Sequence, residues 1–136
     1  MASRPDRARR ILVVDDDASI REVTRMTLEM VGGHEVSTAG CGRDALAQAV
    51  RERPDAILLD VMMPGLDGPA TFERLQADPS TADIPVILLT AKLQATDQAR
   101  FVALGVRAVL SKPFDPMKLP GEVAGLLGWR EATDGG

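Results

Sequence analysis

Ile11-Leu12-Val13-Val14-Asp15-Asp16-Asp17 sets a four-residue apolar run directly against three carboxylates. The design recurs downstream. Ile57-Leu58-Leu59 runs into Asp60, Val86-Ile87-Leu88-Leu89 into Thr90, and Val109-Leu110-Ser111 into Lys112. Short apolar runs alternating with amphipathic stretches read as buried parallel strands joined by helices, a βαβα chain. In an open parallel sheet the carboxyl ends of the strands share one edge, where ligands bind. Asp15, Asp16, Asp60, Thr90 and Lys112 therefore converge on one pocket that is acidic, with one hydroxyl and one ammonium.

The pattern predicts strands over 10–14, 35–39, 56–59, 85–89 and 106–110, the second weak and polar as suits an edge. A first helix follows Asp17-Ala18-Ser19, capped by Asp17 or Ser19, with Ile20, Val23, Met26, Thr27, Met30 and Val31 at helical period and Gly32-Gly33 as its stop. A second helix over 42–53 turns Ala45, Leu46, Ala49 and Val50 inward and ends at Pro54. A third, over 67–76, carries Phe72 and Leu75; a fourth, over 95–104, ends at Gly105. The last helix is expected to start near Asp115-Pro116 with Leu119, Val123, Leu126 and Leu127 inward. Pro120, Gly121 and Gly125 weaken it, so it should be short, bent or frayed.

With 136 residues the chain is long enough for one good core without disulfides. The division expected is a basic disordered tail over 1–9, one domain over 10–128 and a short tail over 129–136 with no output domain. A single cysteine, Cys41, forms no internal disulfide, and no apolar stretch approaches the roughly 20 residues of a membrane span. No signal-peptide apolar region follows the basic N-terminus, so a cytoplasmic protein is expected. A net charge of −4, three Phe, one Trp and no Tyr leave no platform for nucleic acid.

Asp15, Asp16 and Asp60 supply hard oxygen ligands that suit Mg²⁺ or Mn²⁺. Crowded carboxylates repel unless a cation neutralises them. A carboxylate beside such an ion can attack phosphorus, forming an aspartyl phosphate. Lys112 can pair with Asp60 and hold a phosphoryl oxygen, Thr90 can donate to another, and Ala91 is small enough to leave room. Each residue alone also has an ordinary reading as helix cap, turn former, strand residue or surface charge. Their order, all at strand ends, argues for a site.

Val13-Val14-Asp15-Asp16-Asp17, Leu59-Asp60-Val61-Met62-Met63-Pro64-Gly65-Leu66-Asp67-Gly68, Leu89-Thr90-Ala91 and Ser111-Lys112-Pro113-Phe114-Asp115 resemble the receiver domain of two-component response regulators, of the stand-alone, chemotaxis-regulator-like kind. The resemblance covers about Ile11 to Leu127. It implies a flavodoxin-like (βα)5 doubly wound fold, its five-stranded parallel sheet in the order 2-1-3-4-5 with helices on both faces. It implies that Asp60 accepts a phosphoryl group from a sensor histidine kinase or histidine phosphotransfer protein. Mg²⁺ would be held by Asp15, Asp16, Asp60 and the Met62 backbone carbonyl, and Thr90 and Lys112 would read the phosphorylated state. Met62, Ala91 and Lys92 would tune phosphoryl lifetime, and the Lys112-Pro113 bond would be cis. A partner kinase would meet the first helix near Ser19, Arg21, Glu22 and Arg25 and the loop after Lys112.

The chain departs from that pattern where the family usually has a rotating aromatic, three residues before the lysine. Here Val109 is stiff and too small to repeat such a switch. Gly105-Val106-Arg107 also replaces the usual Gly-Ala-Asp, which places the usual signalling face in question. The function expected is a single-domain, Mg²⁺-dependent phosphoacceptor that signals to a downstream protein by contact or carries phosphate in a relay, and not an enzyme. One alternative is a receiver-like interaction module independent of phosphate, motivated by Val109. The other is a haloacid dehalogenase-like phosphohydrolase using Asp15 and Asp17, which lacks the expected Gly-Thr turn, having Ala18-Ser19, and lacks a late acidic motif.

Overall fold

The computed structural model describes residues 9–91 and 95–129. Five strands and five helices alternate: β1 (Arg10–Val14), α1 (Ala18–Met30), β2 (Glu35–Ala39), α2 (Gly42–Glu52), β3 (Ala56–Asp60), α3 (Gly68–Ala77), β4 (Val86–Thr90), α4 (Ala95–Leu104), β5 (Ala108–Ser111) and α5 (Leu119–Leu127). The strands form one parallel sheet in the order β2-β1-β3-β4-β5, the flavodoxin-like doubly wound arrangement.

Alternation of side chains along a strand divides the apolar runs between two cores. Leu12, Val14, Ile57, Leu59, Val86, Leu88 and Val109 face α2, α3 and α4, where Ala45, Ala49, Phe72, Leu75 and Phe101 meet them. Ile11, Val13, Leu58, Ile87 and Leu89 face the other way, onto Leu28 of α1 and Leu119, Val123 and Leu127 of α5. Because both faces are covered, the central strands read as unbroken apolar runs.

The helices correct the sequence reading in three places. On α1 the buried residues are Thr24, Thr27 and Leu28, whereas Val23, Met26, Met30 and Val31 are exposed. Two apolar stripes lie side by side on this helix, and the sheet takes the one containing the threonines. Thr24 enters the core because its hydroxyl donates back to the Ile20 carbonyl at 2.7 Å. On α2, Val50 is exposed and only Ala45, Ala49 and Gly42 are buried. Finally, α5 begins at Leu119, not Asp115. Asp115 instead closes a preceding turn, its carbonyl accepting from Lys118 and Leu119 and its side chain from Met117. Pro120 thus falls in the first helical turn, where its missing N–H costs nothing, and Pro120 and Ala124 are buried while Leu126 is exposed. The nine-residue α5 is short, as expected.

At the opposite sheet edge from the acidic residues, Trp129 follows the left-handed Gly128 cap, and its backbone N–H donates to Ala124 at 2.8 Å. Its ring packs on the second core, 5.5 Å from the His34 ring and under the Arg9 guanidinium.

Candidate functional site

Asp15 and Asp16 directly follow β1, and Asp60 ends β3. Since β1 and β3 pair with Val14 opposite Leu59, the three carboxylates reach the same edge of the sheet side by side. One oxygen of each lies within 4.8 Å of the others. Asp15 and Asp60 are buried and Asp16 is exposed, so the cluster is walled on the protein side and open on the other.

Lys112 comes in from β5. Its Nζ lies 2.9 Å from Asp15 Oδ2 and 3.2 Å from Asp60 Oδ1. Sequence reasoning expected the Asp60 pair; the closer bond is to Asp15. Burial opposes the Lys112 charge, but the hydrogen bond it donates to Asp15 and the charges of the two carboxylates outweigh it and raise its pKa. Asp60 moves the other way from an ordinary ion-paired carboxylate. Burial, then the charge of Asp15, lift its pKa above the usual range despite Lys112. Each polar atom of Asp15 has a partner: its N–H donates to Ala39 at 3.2 Å, its carbonyl accepts from Arg21 at 2.7 Å, Oδ1 accepts from the Asp17 N–H at 2.9 Å, and Oδ2 takes Lys112.

Three carboxylates against one ammonium leave an excess of negative charge that a small hard cation would neutralise. The all-oxygen donor set, with its open side at Asp16, fits Mg²⁺ or Mn²⁺, which keep several waters when bound.

Thr90 ends β4 and is 3 % exposed; its carbonyl accepts from the Lys112 N–H at 2.8 Å, which ties the hydroxyl-bearing strand to the lysine-bearing one. Ala91 follows it at the surface and lines an apolar groove with Ser19, Ile20, Val23, Phe114 and Pro116. The Met62 side chain is exposed, beside Met63, Pro64 and Asp67. Lys92 lies outside the described residues. Val109 is buried in the core with Leu88, Phe101 and Val106. The Lys112–Pro113 peptide is cis.

Sequence reasoning missed three contributors. Asp17, read as a helix cap or as an acid in the phosphohydrolase alternative, caps α1 through Ser19 and Ile20 and also donates its backbone N–H to Asp15. Gly68 packs so closely that a Cβ there would lie 2.5 Å from the Asp60 carbonyl oxygen. Arg21, expected to face a partner, folds back onto the Asp15 carbonyl, and Arg25 is held by Glu22 and Glu29. The groove-facing stripe of α1 is apolar instead, through Ile20 and Val23.

The sequence matches the response regulator receiver domain family over residues 11–124. The DNA-binding dual master transcriptional regulator RpaA of Synechocystis is 42% identical over 118 residues, which cover 87% of this chain and 48% of that protein. Response regulator PleD of Caulobacter vibrioides is 43% identical over 127 residues, covering 92% of this chain and 27% of that protein. Among solved structures, the chemotaxis protein CheY4 of Vibrio cholerae aligns with a TM-score of 0.80 at 33% identity, covering 86% of this chain and 97% of its own. The chain thus spans about half or less of these two regulators' length.

Proposed function

This chain belongs to the response regulator receiver family, the signalling domains of two-component systems, and on that premise we propose that Asp60 is its phosphoacceptor. The observation that carries the reading is the acidic triad with Lys112 bridging Asp15 and Asp60 at one sheet edge. In the reaction, an Asp60 carboxylate oxygen attacks the phosphorus of a phosphohistidine. The new P–O bond forms as the P–N bond breaks, and the imidazole leaves with the electron pair. Asp15, Asp16, Asp60 and the Met62 carbonyl would hold Mg²⁺, which supplies charge neutralisation for the transferred group. Lys112 is already placed to swing its ammonium from Asp60 onto a phosphoryl oxygen, while Asp15 keeps it in reach. Thr90 would donate its hydroxyl to another such oxygen. The raised pKa of Asp60 makes it a better nucleophile once ionised and makes the cation the natural means of keeping it ionised.

Ala91, Met62 and Lys92 are the proposed determinants of phosphoryl lifetime. The groove between Ile20, Val23, Phe114 and Pro116 opens beside Lys112, and its apolar wall suits a helix of the donor kinase or phosphotransfer protein. Signalling onward is by contact with a downstream protein or by passing the phosphoryl group along a relay. A cytoplasmic location fits this reading, and among the described residues no helix is long and apolar enough to cross a membrane. Val109, fixed in the core, supplies no rotating aromatic, so the output passes through backbone and loop adjustments around Thr90 and Lys112. The test is intact-mass measurement after incubation with Mg²⁺ and acetyl phosphate. A gain of one phosphoryl group in the wild type that Asp60→Ala abolishes is the expected result; an equal gain in both proteins would move the acceptor elsewhere.

A further inference from the structure

We infer that Arg21 is a positioning residue for the metal-binding end of β1, acting through the Asp15–Asp16 peptide. The inference rests on the reading of the acidic pocket as a divalent-cation site. Arg21 sits in the first turn of α1, where the helix dipole disfavours a cation, and its own backbone N–H makes the helix's early bond to the Asp17 carbonyl. Its side chain does not run out to solvent. The guanidinium crosses back over the loop, and Nη1 donates to the Asp15 main-chain carbonyl at 2.7 Å. A charge-assisted bond of that length fixes the carbonyl, and because a peptide is planar it fixes the Asp16 N–H side of the same unit.

That peptide matters because the two residues it joins carry two of the three clustered carboxylates. Asp15 is restrained from its other atoms by Ala39, Asp17 and Lys112. Asp16 is exposed, so the peptide plane restrains the backbone from which its carboxylate projects. The end of β2 accommodates the arrangement. A Cβ at Gly40 would lie 3.2 Å from Arg21 Nη1 and 3.7 Å from Cζ, so the bare glycine leaves the corridor through which the guanidinium passes. Gly40 is not in the left-handed region, so alanine is acceptable to its backbone and would act only by crowding the arginine.

The experiment is isothermal titration of Mg²⁺ into the metal-free protein, beside its thermal midpoint without cation. Arg21→Ala is expected to weaken Mg²⁺ binding by about 10- to 100-fold, as loss of groups that orient metal ligands does, with little change in the cation-free midpoint. Arg21→Lys, which keeps one donor, should recover part of the loss. Gly40→Ala should weaken binding in the same direction by a smaller factor, and Arg25→Ala, on the same helix, should leave it unchanged. Mn²⁺ paramagnetic resonance gives a second readout: its spectrum should report altered ligand geometry in Arg21→Ala and Gly40→Ala but not in Arg25→Ala. If Arg21→Ala does not fold, Gly40→Ala and Arg21→Lys carry the test. Wild-type affinity retained in the folded Arg21 and Gly40 variants overturns the positioning role alone. A wild-type protein that binds no divalent cation overturns the pocket reading and this inference together.

Discussion

Asp60 occupies a site in which its ionised form is uncomfortable. Burial comes first among the causes, the Asp15 charge second, and Lys112 relieves only part of both. A carboxylate whose folded pKa is raised adds stability below its unfolded pKa and loses that contribution as pH rises through the folded value. At neutral pH without a cation, ionised Asp60 therefore opposes folding. Asp60→Asn should raise the cation-free thermal midpoint by a few degrees, because Lys112 keeps its 2.9 Å bond to Asp15. Adding Mg²⁺ should reverse the ranking. At a hundredfold excess over its dissociation constant it stabilises the wild type by about 2.7 kcal/mol, and the variant by much less. Scanning calorimetry of both proteins with and without Mg²⁺ checks this; an Asp60→Asn midpoint below the wild type's in the absence of cation would contradict it.

The elements themselves show where sequence periodicity decides and where it does not. The central strands β1, β3 and β4 were legible because each apolar run is about as long as a strand and buried on both faces. The face of α1 was not legible. Ile20, Val23, Met26 and Met30 form a stripe at helical period as good as that of Thr24, Thr27 and Leu28, and the more apolar of the two is not the one that is buried. What separates them is the position of α5, which no local pattern encodes. The start of α5 was misplaced for a related reason: Asp115-Pro116 is good cap chemistry, but it closes an isolated turn before the helix. The α1 finding makes a direct forecast. Leu28→Ala should cost about 2–5 kcal/mol in chemical denaturation, whereas Met30→Ala should change stability by about 0.5 kcal/mol or less. Equal effects would mean that the helix packs by its other face. The acidic triad and Lys112 were legible because strand ends in a parallel sheet must converge. The Arg21 brace was invisible because its acceptor is a main-chain carbonyl, which has no signature in the residue sequence.

At the scale of the molecule, the acidic pocket and a cluster joining the two ends of the described chain occupy opposite edges of one sheet. The carboxyl edge holds the acidic pocket. The amino edge is closed where Arg9, His34 and Trp129 bring both ends of the described chain together, with the Arg9 N–H donating to His34 Nδ1 at 3.2 Å. That bond requires Nδ1 to be an acceptor, so His34 is neutral in the folded state. Burial and then the Arg9 charge hold its pKa below the ordinary 6.5, against a smaller opposing pull from Asp55. The unfolded chain takes up the proton near 6.5 and the folded one only at lower pH, so the unfolded state binds more protons in that window. The contribution is complete above the unfolded value and is lost as pH falls through the folded one. Protonation would also set a second cation against Arg9 beside the Trp129 ring. His34→Gln keeps an acceptor that does not titrate, so its stability should fall less than the wild type's between neutral and mildly acidic pH. The two curves should converge on the alkaline side. Urea denaturation across that range reads both curves, and parallel ones would mean that His34 titrates alike in the folded and unfolded chains. The Asp60 contribution runs in the opposite sense, rising as pH falls, so that of His34 is best measured in an Asp60→Asn background.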